Sequence, residues 1–159
     1  MRGPCALRRA FGRLTGDSGN AMIEFVFLGI LVLVPLLYLV VAVSTVERNV
    51  FAVTEAAREA GRAYATADDE GSAVVRAAYA ARLALQDQRV DGGATLRYVS
   101  AAAPCNAPAV GASLSPGRVF AVCVTRTLTV PGVPGFLDAR RNTVTGRFVV
   151  HVDDFRRPG

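Results

Sequence analysis

The sequence predicts an α+β fold: a long N-terminal helix whose first half suits a membrane, and a second helix packed on a small antiparallel sheet. Three observations carry this reading. Phe25 to Val43 contains no charged residue, and a run of about 18 or more apolar residues is long enough to cross a bilayer as a helix. Beyond that run, apolar residues recur at steps of three and four as far as Tyr64, the period of a helix with one buried face. From Ala94 the period falls towards two and β-branched residues dominate, as half-buried strands prefer.

Residues 1–19 read as a basic cytoplasmic leader. Arg2, Arg8, Arg9 and Arg13 against Asp17 put most of the chain's formal net charge of +5 ahead of the apolar run. Only Arg48 follows soon after it, so the N-terminus is expected inside and the C-terminus outside. The basicity is then largely a topology signal. All 18 basic residues are arginine, and without interleaved aromatics they form no nucleic-acid groove. The apolar run is too long for a secretory h-region of about 7–15 residues, and Ser44-Thr45-Val46 is a poor cleavage site. Cys5 stands too far from the run to carry a lipid. The expected organisation is a leader over 1–19, a transmembrane helix over 20–46 and an extracytoplasmic α+β domain over 47–159.

Glu24 stands at the edge of the apolar run. A carboxylate costs roughly 2.5–3.5 kcal/mol at the centre of a membrane helix and less near the interface. On the residues alone, Glu24 reads equally well as an acid that snorkels to the headgroups. The spacing adds to this. A cut after Gly19 would make Asn20 the first residue and Glu24 the fifth, followed by the aromatic Phe25. Gly16 and Gly12 do not fit, because Ala21 and the polar Ser18-Gly19-Asn20 stretch stand in the wrong places. A basic leader, a glycine, a glutamate at the fifth mature position and a long apolar helix resemble the processing signal of type IV pilin-like proteins.

The GNAMIEF stretch resembles the Flp/Tad branch, and the layout resembles the TadE-like minor pseudopilins. Motif similarity covers roughly residues 8–46. Asn20 as first residue, Phe25 where a tyrosine is common, and a domain larger than that of the short major pilin depart from the pattern. The resemblance implies cleavage by a prepilin peptidase between Gly19 and Asn20. It also implies that Glu24 and Phe25 act in assembly, with the new Asn20 ammonium meeting Glu24 of a neighbouring subunit. The implied partners are the peptidase, other pilin-like subunits, the Tad assembly machinery and the membrane; no cofactor is implied. The runner-up is a permanently anchored envelope protein whose domain binds a partner.

The helix is expected to run on from about Ala21 to Thr66, about 69 Å at 1.5 Å per residue. Pro35 favours a kink, which membrane helices tolerate. Val46, Val50, Val53, Ala57, Ala60 and Tyr64 form its apolar face, and Glu47, Arg48, Glu55, Arg58, Glu59 and Arg62 its solvated remainder. Asp68, Asp69 and Glu70 read as solvated loop acids, since they lack the spaced ligands of a calcium loop. Ser72 is expected to cap the next helix. Val74, Ala78, Ala81 and Leu85 are its expected apolar stripe, with Val75 and Tyr79 beside it. Asp91-Gly92-Gly93 signals a turn.

Three strands follow. Leu96 and Tyr98 mark the first. The second, Arg118 to Val130, sets Phe120, Val122, Val124, Leu128 and Val130 on one face and Val119, Ala121, Cys123, Thr125, Thr127 and Thr129 on the other. Pro131-Gly132 and Pro134-Gly135 turn the chain into the third, Thr143 to Asp153, with Val144, Phe148, Val150 and Val152 on one side. Loop connections without a crossover helix imply an antiparallel meander.

Cys105 and Cys123 are the only cysteines beyond the apolar run. Outside a reducing cytosol such a pair reads as a disulfide, closing a loop of about 18 residues for roughly 3 kcal/mol on the chain-entropy account. Two cysteines and the single histidine, His151, lack metal-ligand spacing. Catalysis finds no support: there is no phosphate-binding loop or dinucleotide fingerprint, and Asp153 and Asp154, as strand neighbours, would point to opposite faces. The last residues, Phe155 to Gly159, are expected to fray.

Overall fold

The computed structural model describes residues 18–90, 93–129 and 142–156. Its elements are α1 (Ser18–Ala65), α2 (Glu70–Asp87), β1 (Ala94–Ser100), β2 (Val119–Thr127) and β3 (Thr143–His151), the expected α+β fold. The leader before residue 18, the Asp91-Gly92 half of the expected turn, and Val130 with the two Pro-Gly turns lie outside the described residues. The chain divides into a unit ending at Val40 and a unit beginning at Val41.

The first unit is the apolar part of α1. The helix is unbroken through Pro35, although the proline has no N–H to give the Leu31 carbonyl. Every residue from Met22 to Val41 is exposed, and this part is long and apolar enough to cross a membrane.

The second unit holds the core. Within it, α1 buries Ala52, Val53, Ala56, Ala57, Ala60 and Tyr64. Val46 and Val50, expected on the same stripe, are exposed instead; the buried face turns towards Ala52 and Ala56, where small side chains let other elements approach. Two glycines set that approach on β3. A β-carbon at Gly61 would lie 2.5 Å from Phe148 Cδ1 and 2.8 Å from Val150 Cγ2, and one at Gly146 would overlap the backbone of Val53. The Tyr64, Tyr98 and Phe120 rings pack together, with centroids 5.2 to 5.9 Å apart.

The sheet is an antiparallel meander in the order β1-β2-β3. Phe120, Val122 and Val124 face the helices, as their alternation predicts. The opposite face of β2 is not half-open. Ala121 and Cys123 are buried there with Val99, and Cys105 packs against them. The central strand is therefore covered on both sides. Leu128 is buried, but β2 ends before it, at Thr127.

The stripe of α2 holds at Ala81 and Leu85 but not at Val74 and Ala78, which are exposed. Ala73, Ala77, Ala81, Ala84 and Leu85 are buried, whereas Val74, Val75 and Tyr79 are exposed. Four alanines at helical spacing bring the α2 backbone close to the core, and the bulkier valines turn outward. The cap also moves. Asp69, not Ser72, is the N-cap, and its carboxylate accepts from the Ser72 N–H at 2.9 Å. That bond holds its carboxyl below the usual carboxylate range. Glu70 is also tied into the fold, since its Oε1 accepts the Leu114 N–H at 3.2 Å. The helix ends with Arg89 in the left-handed region, φ 54°. Arg89 N–H donates to Gln86 and Val90 N–H to Leu85 at 2.8 and 3.0 Å, the double bond of a Schellman cap.

The C-terminal end is docked rather than frayed as far as Arg156. Its guanidinium donates to the carbonyls of Ala65 and Asp68, each at 3.0 Å, and to that of Ala67. A cation at a helix C-terminus satisfies orphan carbonyls and complements the dipole.

Candidate functional site

Gly19 and Asn20 lie in the first turn of α1. Helix N–H groups in the first turn have no intrahelical acceptor, and glycine is a poor helix former. The bond between Gly19 and Asn20 therefore sits where a helix unwinds at least cost. Glu24 follows in the next turn, exposed, and Phe25 beside it is 77 % exposed. Glu24 is the only charged residue between Met22 and Val46. Among the described residues it enters no ion pair. The four residues singled out in this segment thus share one helix.

Cys105 and Cys123 belong to the second unit, where they form a disulfide with Cα atoms 5.7 Å apart. The register explains how the site is held. Arg97 of β1 and Arg147 of β3 both stand opposite Cys123 of β2. Arg97 donates to the Ala107 carbonyl at 3.2 Å, and Arg147 donates to that of Ala101. The Val110 N–H donates to the Tyr98 carbonyl at 2.9 Å on the outer edge of β1. Two guanidiniums, one disulfide and one backbone bond thus fasten the 101–110 stretch over the sheet. Sequence reasoning identified the cysteines but not the two arginines. Their signal was the alternation of β1 and β3, which places both on the disulfide's face.

His151 lies on the same outer face as Arg147, with Nε2 3.8 Å from Asp154 Oδ1. No group of three metal-ligating side chains forms among the described residues. Burial and then the neighbouring Tyr64 push the Tyr98 hydroxyl up to about 12. Burial and then Glu70 raise that of Tyr64. Tyr98 Oη has no hydrogen-bond partner among the described residues. Both hydroxyls therefore stay protonated at neutral pH.

No family model, curated protein or solved structure matches the chain.

Proposed function

We propose that the chain is a minor pilin or pseudopilin of a Flp/Tad-type system, cut after Gly19 by a prepilin peptidase and used in assembly or at the tip of a surface filament. In this reading the leader stays in the cytoplasm and the domain lies outside. It is neither an enzyme nor a nucleic-acid binder, and it needs no cofactor. The observation that carries the reading is Glu24. An exposed carboxylate, five residues after a glycine at a helix start, is the sole charge on an otherwise apolar helix segment. An unpaired carboxylate in an apolar setting is costly, and a partner charge recovers much of that cost. The ammonium made at Asn20 of a neighbouring subunit is such a charge. The disulfide supports an oxidising, extracytoplasmic setting for the domain.

Glu24→Ala separates the two functional readings. In a pilin-like protein the variant is still cut, yet fails to reach the sheared surface fraction, whereas Gly19→Leu fails at both steps. A permanently anchored envelope protein that binds a partner would tolerate both substitutions. Recovery of Glu24→Ala in the surface fraction at the unsubstituted level would remove Glu24 from assembly.

A further inference from the structure

The two ends of the disulfide are unlike. Cys123 stands in the central strand, 1 % exposed, in a buried cluster with Val99 and Ala121. Cys105 is only partly buried. It sits on a turn in which the Ala107 N–H donates to the Pro104 carbonyl, between the exposed Pro104 and Asn106. A thiolate that attacks a disulfide bonds to the sulfur it can reach, and here that sulfur belongs to Cys105. The charges favour the same direction. Arg97 and Arg147 stand opposite Cys123 on the two neighbouring strands. Their guanidiniums reach the Ala107 and Ala101 carbonyls, one on each side of Cys105 in the chain. Neither arginine enters an ion pair among the described residues, and Val99 to Gly117 contains no charged residue. Glu70 meets this stretch at Leu114, well beyond Cys105, and Asp153 and Asp154 follow the end of β3. An electropositive, partly exposed setting is what makes a cysteine sulfur reactive, whereas buried structural cysteines are inert.

We propose that Cys105–Cys123 is a thiol–disulfide exchange site, entered at Cys105 by the thiolate of another molecule. The incoming thiol gives its proton to solvent and its sulfur bonds to Cys105 Sγ. The Cys105–Cys123 bond breaks, and its electron pair leaves on Cys123 as a thiolate flanked by Arg97 and Arg147. The product is a mixed disulfide at Cys105. In reverse, the Cys123 thiolate attacks Cys105 Sγ, expels the incoming molecule's thiolate and restores the bond. Each step exchanges one disulfide for another, so no further oxidant or reductant is needed. The guanidiniums stabilise the departing thiolate, and a better leaving thiolate leaves faster. The site serves a filament subunit and a permanent anchor alike, so it does not rest on the pilin reading.

The test uses the full chain in detergent with its disulfide intact. Reduced glutathione is added, the reaction is quenched with acid at short times, free thiols are alkylated with N-ethylmaleimide, and the peptides are mapped. Glutathione on Cys105 with maleimide on Cys123 should exceed the reverse arrangement by about tenfold or more, because access decides which sulfur is attacked. In urea, where burial no longer separates the sulfurs, the two arrangements should approach equality. A second arm uses a thioredoxin-type protein that keeps only its attacking cysteine. An adduct at Cys105 with both probes supports exchange with protein thiols, and one with glutathione alone supports exchange with small thiols. Arg97→Gln with Arg147→Gln should slow adduct formation by about threefold or more. Lysine at both positions should restore most of the rate, which a merely loosened loop would not explain. Glutathione chiefly on Cys123, an even split in the native protein, or no native adduct while the urea-treated chain reacts would overturn the proposal. So would a glutamine pair that exchanges as fast as the unsubstituted chain.

Discussion

Gly146 of β3 lies against the backbone of Val53 in α1, so closely that a β-carbon at Gly146 would overlap the Val53 carbonyl. Neither backbone can yield easily. Val53 is fully buried, and Gly146 is paired with Val124 of the central strand. Gly146→Ala is therefore expected to destabilise the domain by about 3 kcal/mol, the upper end for an overpacked core. Urea unfolding of the full chain in detergent measures this. Gly111→Ala, where a β-carbon meets nothing within 4 Å, is the control. Equal midpoints for the two variants would refute the close approach.

The disulfide should appear in exported protein as a Cys105–Cys123 peptide pair, and the proposed cut after Gly19 predicts that Cys5 is absent from it. Non-reducing peptide mapping reads both. Cys105→Ser with Cys123→Ser should lose roughly 3 kcal/mol on the chain-entropy account. The loop should stay partly ordered, because Arg97 and Arg147 still hold the Ala107 and Ala101 carbonyls. Both thiols freely alkylatable in the native exported protein would contradict the pairing.

Tyr98 supplies a pH dependence. Its folded hydroxyl titrates at about 12 against the ordinary 10.0. Below pH 10 both folded and unfolded chains hold the proton, so stability does not depend on this group. As pH rises from 10 towards 12 the unfolded chain ionises first and stability falls. Tyr98→Phe should make that alkaline loss shallower but not abolish it, because Tyr64 is shifted in the same direction. The variant should also gain up to about 1 kcal/mol near neutral pH, since the buried Tyr98 Oη lacks a partner and burying an unpaired hydroxyl is unfavourable. Unfolding curves at pH 7 and pH 11 check both effects, and an unchanged alkaline slope would show that Tyr98 does not set it.

Periodicity and side-chain size explain what could be read beforehand. The strand faces were legible because Phe120, Val122 and Val124 alternate with smaller or polar residues, and the meander followed from loops too plain to hold a crossover helix. On α2 the same reasoning finds Ala81 and Leu85 but misplaces the first half of the stripe. It ranks Val74 above Ala73, whereas close packing favours the smaller side chain and turns the valine out. Asp69 was passed over as a cap because two adjacent acids masked it. Arg156 was assigned to a frayed end because its partners, the carbonyls of Ala65, Ala67 and Asp68, lie some 90 residues earlier in the chain. In the N-terminal segment, spacing singles out Gly19, Asn20, Glu24 and Phe25 with a helix expected from about Ala21; the helix begins earlier, at Ser18, and takes in all four, while what Glu24 meets depends on molecules beyond this chain.

The identity of the mature N-terminal residue tests the central claim most directly. The chain is recovered from membranes of cells with an active prepilin peptidase and its N-terminus sequenced, with Gly19→Leu as the uncut control. The expected result is a mature chain that begins at Asn20. A chain that still begins at Met1 in those cells would contradict processing and leave the protein a permanent membrane anchor.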